Sequence, residues 1–213
     1  MLGLACSGEL FGSPPFDQTP PHLRRVNDVA FSGDGEPTSF QKFGEACQIA
    51  VELIEKHQRP DVKIVVITNA TLFHQKRVAE AMAYLDQHSG EIWAKLDAGT
   101  EEYYRLIERT SIPLTRVLEN ILSAGRVRSI VIQSLFLRFN DEGPSDAEID
   151  AFVGRLRELI TGGCQIKLVQ IYTVARGTAE AACTPLPAAE LDGISDRVRK
   201  GTGLVVETYY GPS

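Results

Sequence analysis

The sequence predicts an α/β fold in which helices cover a parallel β-sheet. Six short runs rich in β-branched residues are separated by segments long enough to form a helix. The runs are apolar at nearly every position, which is typical of parallel strands buried on both faces. Periodicity alone leaves open whether they form an open Rossmann-like sheet or a partial β/α barrel. The predicted strands cover residues 26–31, 62–68, 91–97, 129–137, 165–173 and 203–210.

Two of the segments between these strands carry a clear helical stripe. Each stripe repeats apolar residues every three to four positions, as expected for a helix with one buried face. Thr100 before "EEYY" and Ser145 before "DAEI" are typical N-cap residues. The first stripe consists of Phe43, Cys47, Ala50, Val51 and Ile54, and the second of Ile149, Phe152, Val153, Leu156 and Leu159.

Length and composition indicate a globular protein with one sizeable core. The chain has 213 residues, 43% of them hydrophobic, which favours one folded domain over residues 26–213 after an irregular Pro/Gly-rich segment, 1–25. The net charge is −6, from 22 basic and 28 acidic residues, which argues against broad binding of nucleic acid. No apolar run reaches the roughly 18 residues of a membrane span, and the opening residues lack the basic start and long apolar stretch of a signal peptide. We therefore expect a cytoplasmic protein without a membrane partner.

The four cysteines do not form a recognisable local motif. They stand at positions 6, 47, 164 and 183, too far apart for a CxxC redox pair or a zinc knuckle. We therefore predict no metal ligands from the spacing, and expect these cysteines to be small buried or unpaired residues.

The predicted strands end in unusually polar residues. In either of the two α/β architectures, ligands bind at the carboxyl ends of the strands. A polar group in a buried strand must find a partner or line a site, so polar ends on five strands favour a site. These ends comprise Ser32-Gly33-Asp34-Gly35-Glu36, then Thr68 and Asn69, Lys95 and Asp97, Gln133 and Ser134, and finally Gln170, Tyr172 and Thr173.

The turn after the first strand has its own chemistry. Gly33 and Gly35 allow a sharp turn and a close approach of the backbone to a ligand, and Glu36 can accept hydrogen bonds from an ammonium group. The turn lacks the third glycine of the GxGxxG fingerprint and is acidic where a phosphate would bind. On glycine spacing alone, an ordinary strand-to-helix turn explains it equally well. If it is a binding turn, it favours a cationic ligand.

Five segments in order resemble the radical S-adenosylmethionine superfamily. They are "FSGDGEPT", "VVITNATL", "EIWAKLDAGT", "VIQSLFL" and "LVQIYTVAR", and they are most similar to the subgroup of tRNA wyosine-forming enzymes. The resemblance implies a partial (β/α)6 TIM-like barrel that binds S-adenosylmethionine. It places the amino group of the cofactor's methionine at the turn Gly33-Asp34-Gly35-Glu36. It implies contacts to the carboxylate and ribose from Thr68, Asn69, Lys95 and Asp97, and to adenine or substrate from Gln133, Ser134, Gln170 and Tyr172.

The sequence departs from this family at the iron-sulfur cluster. Family members hold a [4Fe-4S] cluster on a CxxxCxxC loop after the first barrel strand, whereas this chain has only Cys6 before "FSGDGEPT". We expect the first strand and the cluster loop to be missing through the gene model, a truncation or degeneration. One cysteine cannot hold a cubane, so radical chemistry is not expected of the chain as written.

Three functions remain open at this point. The first is an enzyme of the radical S-adenosylmethionine type, or a truncated remnant of one, with an electron donor as its partner if it is active. By resemblance, intact relatives use an electron from the [4Fe-4S] cluster to cleave S-adenosylmethionine to a 5′-deoxyadenosyl radical. The second is a noncatalytic module that binds S-adenosylmethionine or a nucleoside. The third is a Schiff-base lyase that uses Lys95, with Lys167 as another lysine in the barrel. An RNA substrate gains no support from charge, because the basic residues are scattered; the substrate and the oligomeric state are not predicted.

Overall fold

The computed structural model describes residues 2–33, 35–175 and 180–211. The chain divides into two compact units, each made of two chain segments. The first unit comprises Met1–Val66 and Arg77–Glu91, and the second comprises Ile67–Lys76 and Ile92–Ser213.

The first unit carries a short parallel strand pair. Strand β1 pairs in parallel with β2, with Asp28 aligned with Lys63 and Phe31 with Val66. The segment predicted to be irregular contains a six-residue helix and two 3-10 turns, and the boundary of the domain at residue 26 stays a prediction. The elements of this part of the chain are α1 (Leu2–Ser7), 3-10 turns Glu9–Gly12, Pro21–Leu23 and Pro37–Ser39, β1 (Asp28–Phe31), α2 (Phe43–Lys56), β2 (Lys63–Thr68) and α3 (Lys76–Leu85).

The second unit is built on four parallel strands in the order β3-β4-β6-β8. A small antiparallel pair, β5 with β7, lies outside this order. The elements are β3 (Gly90–Lys95), α4 (Glu101–Glu108), α5 (Leu114–Val127), β4 (Ile130–Leu135), β5 (Leu137–Phe139), α6 (Asp146–Thr161), β6 (Ile166–Tyr172), β7 (Cys183–Pro185), α7 (Ala188–Thr202) and β8 (Val206–Tyr209).

The order of the strands resolves the choice between the two α/β architectures. All six predicted strands are present in one six-stranded sheet, and within each unit their order in space follows their order in the chain. Within each unit, right-handed crossovers then place the helices that connect its parallel strands on one face of those strands. A Rossmann sheet reverses its winding at a switch point, and no reversal occurs among these strands. The fold is therefore α/β with parallel strands, consistent with a partial TIM-like barrel.

Both predicted helical stripes are buried. Phe43, Cys47, Ala50, Val51 and Ile54 are the buried residues of α2. Helix α6 buries its whole predicted stripe and, in addition, the carboxylate of Glu148. The predicted caps are also confirmed, because Thr100 Oγ1 accepts from Tyr103 N and Ser145 Oγ accepts from Glu148 N. Within the described residues, every helix is too short or too polar to cross a bilayer.

The prediction of one strand over residues 129–137 is wrong at its end. Strand β4 stops at Leu135, and Leu137–Phe139 forms β5, which pairs with β7 about 46 residues later in the chain. Between the two strands, Phe136 is fully buried and packs edge-to-face on Phe152 at 5.2 Å. The apolar run of "VIQSLFL" is therefore longer than the strand, because it includes Phe136. Phe136 is buried by its packing on α6.

Candidate functional site at the strand ends

Three predicted site residues lie in one row across the second unit. In the register of the sheet, Lys95 is aligned with Gln133, Gln133 with Gln170, and Gln170 with Glu207. Aligned residues of neighbouring strands project from the same face. Gln133 Nε2 donates to Gln170 Oε1 at 3.2 Å, which links two members of the row. The sheet therefore presents a cation, two amides and a carboxylate side by side.

A second polar layer lies two residues further along the same strands. Asp97 follows β3 and is 2% exposed, while Tyr172 ends β6. Asp97 Oδ1 accepts a hydrogen bond from Leu135 N at 2.7 Å, and its Oδ2 lies 2.9 Å from Lys95 Nζ. The Asp97 carboxylate is thus fixed by backbone on one side and by an ammonium on the other.

Glu108, at the end of α4, completes this charged group. Its Oε1 lies 4.0 Å from Lys95 Nζ. Burial, followed by the charge of Asp97, raises the pKa of Glu108 to about 8, although Lys95 opposes this shift. The charge of Asp97 is the main cause that raises the pKa of Lys95 above its ordinary value, against burial. Lys95 is therefore held as an ammonium between the carboxyl groups of Asp97 and Glu108.

The predicted pair Thr68 and Asn69 forms a tight turn at the end of β2. Thr68 Oγ1 accepts from Ala70 N at 3.1 Å, and Asn69 Oδ1 accepts from Thr71 N at 3.1 Å. Buried Asn120 of α5 donates from Nδ2 to the carbonyls of Ala70 and Thr71, at 2.8 and 3.0 Å. The backbone of this turn is therefore held in place by its own side chains and by a neighbouring helix.

Ser134 does not share the face of the polar row. It is the residue after Gln133, so its side chain projects from the opposite side of the sheet. Ser134 is aligned with Ile171, which is aligned with Thr208, whose Oγ1 lies 2.7 Å from Ser195 Oγ on α7. Ser134 is fully buried, and its hydroxyl has no hydrogen-bond partner among the described residues. The structure therefore brings Lys95, Asp97, Gln133, Gln170 and Tyr172 together and leaves Ser134 on the helix side.

The glycine-rich turn belongs to the first unit. Gly33 has a φ of 145°, a conformation that L side chains rarely adopt. Glu36 caps the following 3-10 turn, because its Oε1 accepts from Thr38 N at 3.0 Å and from Thr38 Oγ1 at 2.5 Å. Gly35 is exposed, and Asp34 lies outside the described residues. The carboxylate of Glu36 thus has a structural role whether or not it binds a ligand.

Two residues of β8 extend the polar row beyond the sequence prediction. Glu207 is aligned with Gln170, and Tyr209 is aligned with Tyr172. Tyr209 Oη donates to Glu207 Oε2 at 2.6 Å. Burial and this hydrogen bond raise the pKa of Tyr209 to about 12. The alternation in "VETY" places both side chains on one face, and this signal could have identified them.

The described thiols do not fit an iron-sulfur cluster. Burial raises the pKa of Cys47 to about 12 and that of Cys164 to about 11, so both resist the deprotonation that iron binding requires. Cys6 Sγ lies 3.4 Å from Arg59 Nη1, and Cys183 begins β7. In the part of the chain that the structure describes, no three His, Cys, Asp or Glu side chains are arranged as a metal site.

Comparison with known proteins supports the fold. No model of a protein family matches the sequence, and no curated protein matches it. The crystal structure of Streptococcus suis SuiB bound to S-adenosylmethionine is similar, with a TM-score of 0.63 and 14% identity over 89% of this chain and 40% of SuiB. A structure of TYW1 with a lysine-pyruvate adduct bound has a TM-score of 0.47 and 18% identity over 93% of this chain and 57% of TYW1.

The similarity to SuiB concerns the fold alone, because the identity is low. This chain spans about two fifths of the length of SuiB. The shared architecture supports the partial barrel that the resemblance of the sequence implies.

Proposed function

We propose that this chain is an S-adenosylmethionine-binding domain of the radical S-adenosylmethionine type. One observation carries the proposal: Lys95, Asp97, Gln133, Gln170 and Tyr172 share one face at the carboxyl ends of their strands. In parallel α/β folds, this edge of the sheet is the place where ligands bind. The likeness to SuiB, a protein solved with S-adenosylmethionine bound, supports the choice of ligand.

The donor set fits the chemistry of this cofactor. S-adenosylmethionine carries a carboxylate, an ammonium, ribose hydroxyls and an adenine. We assign its carboxylate to the Lys95 ammonium, its ribose hydroxyls to Asp97, and its adenine to the amides of Gln133 and Gln170. Asp97 is suited to this role because its backbone bond to Leu135 orients the carboxylate before a ligand arrives. When bound, the cofactor supplies a sulfonium carbon that is activated for cleavage.

No step through an iron-sulfur cluster is assigned to these residues. The described thiols do not form a cluster site, and two of them are buried with raised pKa values. The proposal is therefore one of binding, and the radical reaction of the superfamily is not part of it.

The binding proposal is tested by calorimetry with two ligands, S-adenosylmethionine and 5′-methylthioadenosine, which lacks the amino acid moiety. Lys95→Met should weaken binding of the first about tenfold or more, because it removes a charge-assisted contact to the carboxylate. It should leave binding of the second nearly unchanged. Lys167→Met is the matched control, since Lys167 is an exposed residue near the amino end of β6. Equal losses for both lysine variants would contradict the assignment.

The same titrations separate binding of S-adenosylmethionine from the other form of the noncatalytic module, which binds a nucleoside. If wild-type protein binds 5′-methylthioadenosine as tightly as S-adenosylmethionine, the amino acid moiety makes no net contribution and the module is favoured. The Schiff-base lyase has less support, because nucleophilic lysines need a lowered pKa and Asp97 raises that of Lys95. Trapping of an imine on Lys95 by borohydride would reverse this ranking.

A further inference from the structure

The outer edge of β1 in the first unit carries backbone groups without a partner strand. Strand β1 stands at the end of the strand order and pairs with β2. Asn27 O accepts from Lys63 N at 3.1 Å, and in a parallel ladder alternate residues bond the same neighbour. Val29 therefore bonds to β2, whereas Asp28 and Ala30 direct their N–H and C=O groups outward. Among the described residues, no backbone hydrogen bond reaches this outer side of β1.

An apolar groove runs beside this edge, on the face of the sheet that α2 covers. Its volume is about 320 Å³. Ile49 and Leu53 of α2 are 56% and 41% exposed there, although large apolar residues of a surface helix normally face the core. The side of α2 that is turned towards the open edge is therefore apolar and accessible. The described residues that line the groove are Val29, Phe31, Ala46, Ile49, Ala50 and Leu53.

A second copy of the chain would cover the edge and the groove together. With a two-fold axis at Val29 and perpendicular to the sheet, β1 and its copy are antiparallel and Asp28 lies opposite Ala30 of the copy, so that the outward backbone groups meet. Helix α2 connects β1 with β2, and the midline of this pair lies one strand spacing, about 4.8 Å, from the axis. The two α2 helices then lie about 10 Å apart on one face, which is a normal distance for packed helices.

The exposed side chains of α2 complement one another in this arrangement. The two helices are antiparallel, so Ile49 lies opposite Leu53 of the copy. Exposed Glu45 and Lys56 lie at similar distances on either side of the middle of this contact, so Glu45 comes next to Lys56 of the copy. Glu45 also pairs with Lys42 at 3.3 Å, but an exposed pair of this kind is weak. Opposite charges at the rim favour the antiparallel orientation.

We propose that the edge formed by β1 and α2 is the interface of a two-fold symmetric dimer of this chain. Backbone bonds of Asp28 and Ala30 join the two sheets, and Ile49 and Leu53 of both copies fill the groove. An extended segment of another protein would pair with the strand but leave the side of α2 uncovered, whereas a copy supplies a strand and a helix at matching spacing. The inference does not rest on the proposed function.

Sedimentation equilibrium from micromolar to millimolar concentration tests the dimer. We expect a reversible equilibrium between monomer and dimer without larger species, because a two-fold contact is closed. Leu53→Asp should weaken dimerisation about tenfold or more, because it buries a charge in the apolar contact. Leu106→Asp is the matched control, since Leu106 on α4 is 44% exposed and lies outside the interface. Both leucines are exposed, so both variants should keep the circular dichroism of the wild-type protein.

Val29→Cys tests the pairing of the strands. In the proposed dimer the two copies of residue 29 form a non-hydrogen-bonded pair with Cα atoms about 4.5 Å apart, which a disulfide can span. Mild oxidation should therefore convert most of Val29→Cys into a covalent dimer. Asp28→Cys is the control, because the two copies of residue 28 lie about 8 Å apart on the diagonal, beyond the reach of a disulfide.

Each outcome supports or overturns the inference. A chain that stays monomeric at every concentration would overturn it, and so would equal weakening of the dimer by Leu53→Asp and Leu106→Asp. Equal cross-linking of Val29→Cys and Asp28→Cys, including none for either, would overturn the antiparallel pairing. Species that keep growing with concentration would also contradict the inference, since they require a contact that does not close.

Discussion

At the scale of single residues, the balance of charge around Lys95 determines what the strand ends can do. Two carboxyl groups flank one ammonium, at 2.9 Å for Asp97 and 4.0 Å for Glu108. The Asp97 carboxylate is closer and is hydrogen-bonded to backbone, whereas burial favours the neutral form of Glu108. The ammonium of Lys95 therefore offsets the negative charge beside it, and this limits the cost of burying the group.

Glu108 should make the stability of the protein depend on pH. Its pKa rises from 4.5 to about 8 on folding, so the folded state binds more protons than the unfolded state between these values. The free energy of unfolding should therefore fall as pH rises through this window. Glu108→Gln should remove this slope and be more stable than wild type at pH 9, by on the order of 2 to 4 kcal/mol. Urea unfolding at pH 5, 7 and 9 measures this.

The control for this prediction is Glu119→Gln, which neutralises an exposed acid and should keep the slope of the wild-type protein. If Glu108→Gln loses stability equally at all three pH values, the proton on Glu108 is not the cause.

Glu36 provides a second prediction at this scale, derived from the family resemblance. Glu36→Gln keeps an oxygen that can accept from Thr38 but removes the negative charge expected to receive the ammonium of S-adenosylmethionine. The affinity for the cofactor should fall by about tenfold, while Arg24→Gln should leave it unchanged. Equal affinities of the two variants, measured by calorimetry, would count against the assignment of Glu36.

The sequence was informative about candidate site residues on strands and less so about those on helices. The strands supplied Lys95, Asp97 and Gln133, because polar residues interrupt an apolar run there. Glu108 gave no such signal, because an acid near the end of an amphipathic helix is the usual solvent-exposed residue. Its role depends on how α4 packs against the end of β3. This packing cannot be predicted from the local sequence pattern.

At the scale of elements, helix caps and strands were predictable because their causes are local. Thr100 and Ser145 cap α4 and α6 as their residue types predict. The β5–β7 pair was missed because its two strands are only three residues long and far apart in sequence. Burial of Glu148 was also missed, since it depends on the loop of Gly99 and Thr100 reaching the first turn of α6.

The contact between this loop and α6 leads to a prediction with a matched control. A methyl group on Gly99 would lie 2.0 Å from Phe152 N in α6, so Gly99→Ala must push the loop and the helix apart. It should reduce the free energy of unfolding by about 2 to 3 kcal/mol. Gly154→Ala on α6 has no described neighbour within 4 Å and should instead increase it by up to about 1 kcal/mol. Denaturant unfolding of both variants measures the difference, and a loss of equal size at both positions would contradict this packing.

At the scale of the whole molecule, periodicity predicted the six strands and the parallel α/β class, whereas the winding as a partial barrel was predicted only through the family resemblance. The choice between a Rossmann-like sheet and a barrel depends on which strands are neighbours in the sheet. Sequence periodicity does not show which strands pair with each other. The order β3-β4-β6-β8 provides that information. It also explains why the side chains of Gln133 and Ser134 lie in different surroundings. When all crossovers wind in one direction, one face of the sheet carries the helices and the other carries the polar row.

Iron-sulfur chemistry is a property of the whole chain, since a site-differentiated cubane needs three thiolates. The chain has four cysteines, but Cys47 is fully buried, Cys164 is 6% exposed, and burial raises the pKa of both thiols. Only Cys6 and Cys183 are partly exposed, which is one thiol fewer than a cubane needs.

Anaerobic reconstitution with iron and sulfide should therefore give this 213-residue chain no stoichiometric cluster. After reduction in the presence of S-adenosylmethionine, it should give no 5′-deoxyadenosine. Iron analysis and chromatography of the products measure both quantities; about four irons per chain together with 5′-deoxyadenosine would mean that the buried thiols can be recruited as ligands.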